Sequence, residues 1–193
     1  MNTNLTPKST KLFRGDIRDK GANFTDAVDY IFEGEAKNQA HFHWFSNSKE
    51  YATDYATQQQ SEMRGKIECS VVTEIELARD LNILDLDTMN VEEQLNFHKS
   101  LFEAGIVGNQ FMEEAICKYN GDYSKKSLKK FFGYSTDNFL NSGQSYSDGK
   151  KGIAFKAWLI ANGYDGYSFT QFKDKEFALI NTRDFNVIDR QYL

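Results

Sequence analysis

The order of the secondary-structure signals along the chain is the feature that most restricts its fold. Strand patterns lie near both ends, at 11–17 and from residue 164 onward, whereas three helical patterns fill the middle, from about Asn90 to Phe132. In a doubly wound parallel sheet, strands and helices alternate along the whole chain. They do not alternate here, so the sequence predicts an α+β fold with mostly antiparallel strands.

The length and composition predict one domain. The chain has 193 residues, of which 40% are hydrophobic and 15% aromatic, and this is enough to build a buried core. We expect a mobile arm at 1–10, where Pro7 stands among Asn, Thr and Ser, and a single domain over 11–193. An N-terminal helix is expected at about 25–34, and the helical patterns of about 90–150 are interpreted as an insertion in the domain.

Charge and hydropathy restrict the partners and the location. A net charge of −5 gives no overall attraction to nucleic acid or to an anionic membrane. No apolar run approaches the roughly 20 residues that cross a bilayer, and the first ten residues lack the apolar centre of a secretory signal. Two isolated cysteines, Cys69 and Cys117, predict buried thiols in a reducing compartment. We therefore expect a cytoplasmic protein without membrane association, in the producing cell or, after delivery, in a target cell.

Histidines do not indicate a metal site. His41 and His43 form an H-x-H pair, but no third ligand stands at a suitable spacing. The pattern predicts two surface imidazoles and no bound metal.

The first candidate site feature is Arg14-Gly15, which follows the apolar strand positions Leu12 and Phe13. A guanidinium at the end of a strand offers a planar fork for a phosphate. The adjacent glycine allows a ligand to approach the backbone closely. An Arg-Gly pair is also common in solvated turns, so this feature alone does not establish a site.

The second feature is the stretch HFHWFSNSKEYATDYA at 41–56, where alternating aromatic residues give way to a helical pattern. Period two places Trp44 and Ser46 on the same face of the strand, so Ser46 is expected to be a buried or half-buried hydroxyl that needs a partner. In an alternative interpretation, the Ser-Asn-Ser step only caps the following helix, because Asn47 and Glu50 have the spacing of a capping box.

The third feature is Glu176, which opens the apolar strand EFALI after a turn flanked by lysines. Asp174 lies two residues earlier, so both carboxylates share one side of an extended chain. Like charges this close disfavour each other's ionised form. The arrangement costs stability and therefore indicates a functional site. A hairpin in which Lys173 and Lys175 neutralise the two carboxylates explains the pattern equally well.

In this order, the three features resemble the Arg-Ser-Glu group of the ADP-ribosyltransferase superfamily. The Phe-Arg-Gly step at 13–15, the Ser-Asn-Ser step at 46–48 and Glu176 match the arginine, Ser-Thr-Ser and catalytic glutamate motifs of that family. The Gly-Tyr-Asp-Gly step at 163–166 is similar to small bacterial and phage members. The chain departs from the pattern where Asn replaces the central Thr and where Asp174 stands two residues before the glutamate, at a position that holds Glu or Gln in the family.

The resemblance implies a fold and an activity. The fold would be mostly antiparallel split β-sheets around an NAD cleft. The activity would be mono-ADP-ribosyl transfer, a glycosyltransferase reaction with NAD as substrate and no metal, in a bacterial or phage effector or toxin. The acceptor would be a protein or, alternatively, a nucleic acid.

Two other functions stay open. An NAD glycohydrolase would use the same pocket without a macromolecular acceptor. A non-catalytic module would bind a partner through the helical insertion, where four lysines form a like-charged patch that is otherwise a solvated face. These lysines are Lys125, Lys126, Lys129 and Lys130.

The resemblance also assigns roles to individual residues. It implies that Arg14 clamps the diphosphate, that the Gly15 backbone binds the nicotinamide amide, and that Ser46 orients Glu176. The Glu176 carboxylate would bind a ribose hydroxyl and stabilise the positive charge that develops on the sugar. We therefore expect the side chains at 14, 46 and 176 to converge around one dinucleotide. The remaining assignments are NAD contacts for Ser48, Tyr51 and Tyr55, and acceptor contacts for Asp174 and Phe172.

Overall fold

The computed structural model describes residues 4–16, 42–57, 69–132, 149–171 and 173–193. The chain divides into two compact units. The sheet unit contains the described residues up to Asp87 and from Tyr164 onward, and the helical unit contains those from Thr88 to Gly163. The α+β class is confirmed, and the helical unit spans the range that the sequence predicted as an insertion. The helix expected at about 25–34 lies outside the described residues.

Eight strands of the sheet unit form one sheet. The strands are β1 (Asn4–Thr6), β2 (Lys11–Asp16), β3 (His43–Ser46), β4 (Val71–Leu77), β5 (Leu81–Asp85), β6 (Gly166–Gln171), β7 (Asp174–Leu179) and β8 (Phe185–Tyr192). Their order across the sheet is β1-β5-β6-β7-β3-β2-β4-β8. Only β5 and β6 pair in parallel, so the prediction of mostly antiparallel strands is confirmed.

The junction between β2 and β3 is the narrowest part of the sheet. These strands share a single register pair, Phe13 opposite Ser46, whereas β2 and β4 are paired from Lys11 to Asp16. The described strands thus form one continuous sheet where two separate sheets were expected, because this one pair joins β1-β5-β6-β7-β3 to β2-β4-β8.

The core of the sheet unit lies on one face of the sheet. Strand residues alternate between faces, and those on the core face bury large apolar side chains, each of which contributes about 1.5–3 kcal/mol. The buried members are Leu12, Phe45, Ile75, Leu77, Leu81, Ile83, Phe177, Leu179 and Phe185. On the other face, helix α1 (Lys49–Thr57) packs Ala52 and Ala56 against Val72 and Phe13.

The segment predicted as a mobile arm contains a paired strand. Asn4–Thr6 forms β1 and pairs antiparallel with β5. The backbone N–H of Lys8 donates to the carboxylate of Asp80 at 2.6 Å. The short strand forms because the exposed edge of β5 supplies hydrogen-bond partners for its backbone.

The helical unit contains four helices within the described residues: α2 (Val91–Glu103), α3 (Asn109–Asn120), α4 (125–132) and α5 (Gly149–Ala161). The three predicted mid-chain helices are confirmed. Helix α2 begins with a capping box, in which Asn90 Oδ1 accepts the Glu93 N–H at 3.0 Å and the Glu93 carboxylate accepts the Asn90 N–H at 2.8 Å. After α5, Gly163 has φ +76°, the left-handed conformation that ends many helices.

Two sequence predictions about buried and exposed residues are wrong. Cys117 is exposed and Cys69 is half-buried, so neither thiol lies in the core as expected. His43 is 6% exposed rather than at the surface, because its strand face packs on the core and its ring lies 5.7 Å from that of Phe185. His41 lies outside the described residues. No helix within the described ranges combines the length and the apolar composition that a bilayer span requires.

His98 is a buried histidine at the centre of the helical unit. It is fully buried, and its ring lies 5.3 Å from Phe111 and 5.0 Å from Phe132. Its Nδ1 lies 2.7 Å from the carbonyl oxygen of Gln94, to which the Nδ1–H donates. Burial lowers the pKa of His98 from 6.5 to about 4, against the smaller opposing effect of this hydrogen bond.

We therefore expect acid to destabilise the protein through His98. The unfolded chain binds the proton at the ordinary pKa of 6.5 and the folded chain only at about 4. The free energy of unfolding thus falls as the pH drops from about 6.5 to about 4, by about 3 kcal/mol in total. Urea unfolding at pH 7, 5.5 and 4 measures this loss. His98→Leu removes the titration, so an equal pH dependence in wild type and variant over this window would contradict the prediction.

Candidate functional site

Ser46 and Glu176 are neighbours across two paired strands. Ser46 is the last residue of β3, where it lies opposite Glu176 of β7 and opposite Phe13 of β2. Residues paired in this way project from the same face of a sheet, so all three side chains share one face. Ser46 is 4% exposed, which confirms the predicted buried hydroxyl, and its Oγ accepts the backbone N–H of Ser48 at 3.1 Å.

Helix α1 brings a tyrosine to the carboxylate. The hydroxyl of Tyr51 donates to Glu176 Oε1 at 2.6 Å, near the short end of the range for O–H···O hydrogen bonds. Ser48 caps the helix, because its Oγ accepts the Tyr51 N–H at 3.1 Å and its carbonyl oxygen accepts the Ala52 N–H. Ser48 thus binds the backbone of Tyr51, and the side chain of Tyr51 binds Glu176. Both Ser48 and Tyr51 were expected to contact NAD.

Asn47 joins the corner between β3 and α1 to the start of β7. Its N–H donates to the carbonyl oxygen of Lys175 at 3.1 Å, and its Oδ1 accepts the Lys175 N–H at 3.0 Å. The predicted capping box of Asn47 with Glu50 is therefore wrong, because the Asn47 side chain binds Lys175 and a different residue caps the helix. The reciprocal pair fixes Glu176, the next residue along β7, relative to Ser46.

The lysines that flank the β6–β7 turn form ion pairs with other acids. Lys175 Nζ lies 2.5 Å from Asp85, and Lys173 Nζ lies 3.9 Å from Glu50. The β6–β7 hairpin is formed, but the alternative in which these lysines neutralise the carboxylates at 174 and 176 is wrong for the described side chains. Asp174 is half-buried at the start of β7, opposite Gln171, and lies on the same side of the strand as Glu176. Phe172, the other predicted acceptor contact, lies outside the described residues.

A group of aromatic residues lies on the strands next to Glu176. Phe169 of β6 lies directly opposite Glu176. The Trp44 ring lies 6.0 Å from Phe169 and 5.6 Å from Tyr167, both in edge-on geometry. The ring of Phe42 lies 5.2 Å from Tyr167. We call Phe42, Trp44, Tyr167 and Phe169 the aromatic face.

The aromatic face is a part of the site that sequence reasoning missed. Alternation in the strand 166–171 would have placed Tyr167 and Phe169 on one side, but Phe42 and Trp44 lie beside them only because the distant strand β3 also pairs with β7. Tyr167 is buried, and burial, followed by the negative charge of Glu176, raises its pKa well above the ordinary value. The phenol is therefore neutral at physiological pH.

Arg14 lies on the neighbouring strand β2, but its side chain projects from the other face of the sheet. Arg14 follows Phe13, and successive residues of a strand point to opposite faces. Its Nε donates to both carboxylate oxygens of Asp16, at 3.0 and 3.1 Å, and the two side chains are 12% and 8% exposed. The structure thus brings Ser46 and Glu176 together on one face, whereas strand alternation assigns Arg14 to the other face. The convergence of its guanidinium with them stays a prediction.

Gly15 is approached by helix α1. A Cβ at this position would lie 1.9 Å from the carbonyl oxygen of Ala52 and 2.9 Å from the nitrogen of Ala56. A ligand was expected to approach the backbone at Gly15, but on this side of Gly15 the backbone of α1 fills the space. Toward β3, the described strands share no register pair beyond Phe13 and Ser46, so Gly15 lies where β2 leaves the β2–β3 ladder.

Comparison with known proteins adds no relative. Neither family models, curated proteins nor solved structures gave a match to this chain. In the part of the chain that the structure describes, no group of three or more His, Cys, Asp or Glu residues is arranged to hold a metal ion. The described groups at the site are one hydrogen-bonded carboxylate, hydroxyls and aromatic rings.

Proposed function

We propose that this protein is a mono-ADP-ribosyltransferase that transfers ADP-ribose from NAD to a macromolecular acceptor, a protein in the first place. In this proposal, it acts as a bacterial or phage effector or toxin in the cytoplasm. The proposal rests on the environment of Glu176. Ser46 lies opposite Glu176, the Tyr51 hydroxyl lies 2.6 Å from its carboxylate, and Phe169 of the aromatic face lies on its other side. Two of the motifs that resemble the family thus lie on adjacent strands.

The aromatic face suits the charged ring of NAD. The nicotinamide of NAD is a flat cation, and aromatic rings attract cations through their negative faces. Trp44 and Phe169 are half-buried, so neither residue is sealed in the core. A nicotinamide placed over these rings would bring the ribose next to Glu176.

The carboxylate suits the bond that is broken. When the bond between ribose C1′ and the nicotinamide nitrogen breaks, nicotinamide leaves with the bonding electron pair and becomes neutral, and positive charge develops on the sugar. Glu176 would bind a ribose hydroxyl and stabilise that charge. A nucleophilic atom of the acceptor then bonds to C1′, and its proton passes to Asp174 or to water.

The remaining assigned residues have supporting roles in the proposal. Tyr51 positions the carboxylate, and Ser48 positions Tyr51 through the helix cap. Tyr55 lies one turn further along α1, is 37% exposed, and is assigned a contact with NAD. The roles of Arg14 at the diphosphate and of Gly15 at the amide stay predictions from the resemblance.

Tyr51→Phe tests the positioning role. The variant keeps the ring and removes one hydrogen bond to a charged group, which is worth about 1.5–3 kcal/mol. We expect kcat for NAD cleavage to fall by about 10- to 100-fold, with a smaller change in KM and a thermal midpoint lowered by no more than about 10 °C. Tyr119→Phe, which removes an exposed hydroxyl from α3, is the control. An unchanged kcat for Tyr51→Phe would remove this role.

The activity is tested with NAD that carries its label in the adenylate half. The protein is incubated with this substrate and a bacterial lysate, and labelled species are separated and identified by mass spectrometry. Label on a protein or nucleic acid supports transfer and names the acceptor. Release of free ADP-ribose alone, in the lysate and in buffer, identifies an NAD glycohydrolase. If no NAD is consumed, the proposal of an enzyme is wrong.

A further inference from the structure

Helix α4 carries a face of lysines. Its buried side is formed by Leu128 and Phe132, and its other side exposes four cations. Like-charged residues at i and i+4 on a helix have Cβ atoms about 6 Å apart, and their repulsion destabilises the helix. In 121–132 the single acid is Asp122, although the whole chain has a net charge of −5. The four exposed cations are Lys125, Lys126, Lys129 and Lys130.

Two exposed tyrosines lie at the connection between α3 and α4. Tyr123, just before α4, is 51% exposed, and Tyr119, in the last turn of α3, is 36% exposed. Lys118 joins the two helices, because its Nζ lies 4.7 Å from the centre of the Tyr123 ring and 5.4 Å from that of Phe131. The four lysines of α4 with Tyr119 and Tyr123 are called the lysine–tyrosine surface.

We propose that the lysine–tyrosine surface binds single-stranded nucleic acid. Phosphates would neutralise the lysines and relieve their mutual repulsion, and unpaired bases would stack on the exposed tyrosine rings. An acidic peptide matches the lysines equally well but has no flat group for the rings, which is why nucleic acid is favoured. Lysine contacts to phosphates carry no sequence information, so the binding is non-specific and sensitive to salt. The proposal does not depend on NAD chemistry.

The lysines are tested with fluorescein-labelled oligo-dT and oligo-U of 15 nucleotides, by anisotropy at several salt concentrations, on the full chain. In one variant all four lysines of α4 are replaced by Gln. We expect its Kd to rise by about 30-fold or more, and the slope of log K against log salt to shrink by about 3, since each phosphate contact to a single strand contributes about 0.7. The matched control replaces four other exposed lysines by Gln and keeps the wild-type Kd. The control positions are Lys8, Lys49, Lys99 and Lys173.

The tyrosine separates nucleic acid from an acidic protein partner. Tyr123→Leu keeps an apolar side chain and removes the flat ring, so we expect about a tenfold weaker Kd for the oligonucleotides. Its affinity for poly-L-glutamate should equal that of wild type. If wild type binds no oligonucleotide, or the lysine variant binds as tightly as wild type, the proposal is wrong. If poly-L-glutamate binds as tightly as oligo-dT and Tyr123→Leu has no effect on either, the partner is an acidic protein instead.

Discussion

Replacing Glu176 by glutamine is expected to lower the rate of NAD cleavage by about 1,000-fold and to leave the fold intact. The substitution removes the negative charge that stabilises the developing positive charge on the ribose, an effect of this order in enzymes that use such preorganised groups. Glutamine has nearly the same shape, and its amide oxygen can still accept the hydrogen bond from the Tyr51 hydroxyl. The loss should therefore be one of chemistry and not of structure.

The measurement is the initial rate of nicotinamide release from NAD, with transfer of label to the acceptor recorded in parallel. Glu50→Gln is the matched control, because Glu50 is an exposed carboxylate in the first turn of α1. Circular dichroism and the thermal midpoint verify that both variants are folded. A Glu176→Gln variant that cleaves NAD at the wild-type rate would exclude Glu176 as the catalytic residue.

Gly15→Ala is expected to cause the largest loss of stability. The added Cβ would lie 1.9 Å from the Ala52 carbonyl oxygen and 2.9 Å from the Ala56 nitrogen. Both atoms belong to the backbone of α1, so no side-chain rotation relieves the clash, and either the helix or β2 has to move. Overpacking of this kind costs about 3 kcal/mol or more. Movement of α1 would also withdraw Tyr51 from Glu176, so NAD cleavage should fall with stability.

Urea unfolding at neutral pH measures this cost. Gly108→Ala is the control, because a Cβ at Gly108 meets nothing within 4 Å and the backbone there has an ordinary φ of −83°. We expect a change of less than about 1 kcal/mol for the control. An unfolding free energy for Gly15→Ala within 1 kcal/mol of wild type would show that the helix does not pack against β2 as described.

Local sequence patterns predicted those features that depend on nearby residues. The alternation through Trp44 and Ser46 gave the correct face of β3, since period two follows from backbone geometry alone. The helix cap was assigned one residue too early, because Asn47 and Ser48 are both good caps and a distant strand decides between them. Asn47 binds Lys175, 128 residues away.

Features that depend on distant partners could not be predicted in this way. The hydrogen bond of Tyr51 to Glu176 joins residues 125 positions apart, and the aromatic face gathers side chains from β6 and the β3 region. The position of Arg14 could not be predicted for the same reason. Alternation divides the residues of a strand between two faces, but only the register with the partner strand decides which residues of the two strands share a face. The register of Phe13 with Ser46 decides this, because it puts Phe13 on the face of Ser46 and Glu176 and Arg14 on the opposite face of the strand.

The parallel pairing of β5 and β6 requires a long connection, and the helices α2 to α5 are part of it. These strands lie side by side and run in the same direction, yet the chain leaves β5 at Asp85 and returns only at Gly166. A tight turn cannot connect parallel neighbours, because the chain must travel back along the whole strand, which takes about a dozen residues or more. The connection is thus a crossover that no deletion can reduce to a hairpin loop without breaking the parallel pair.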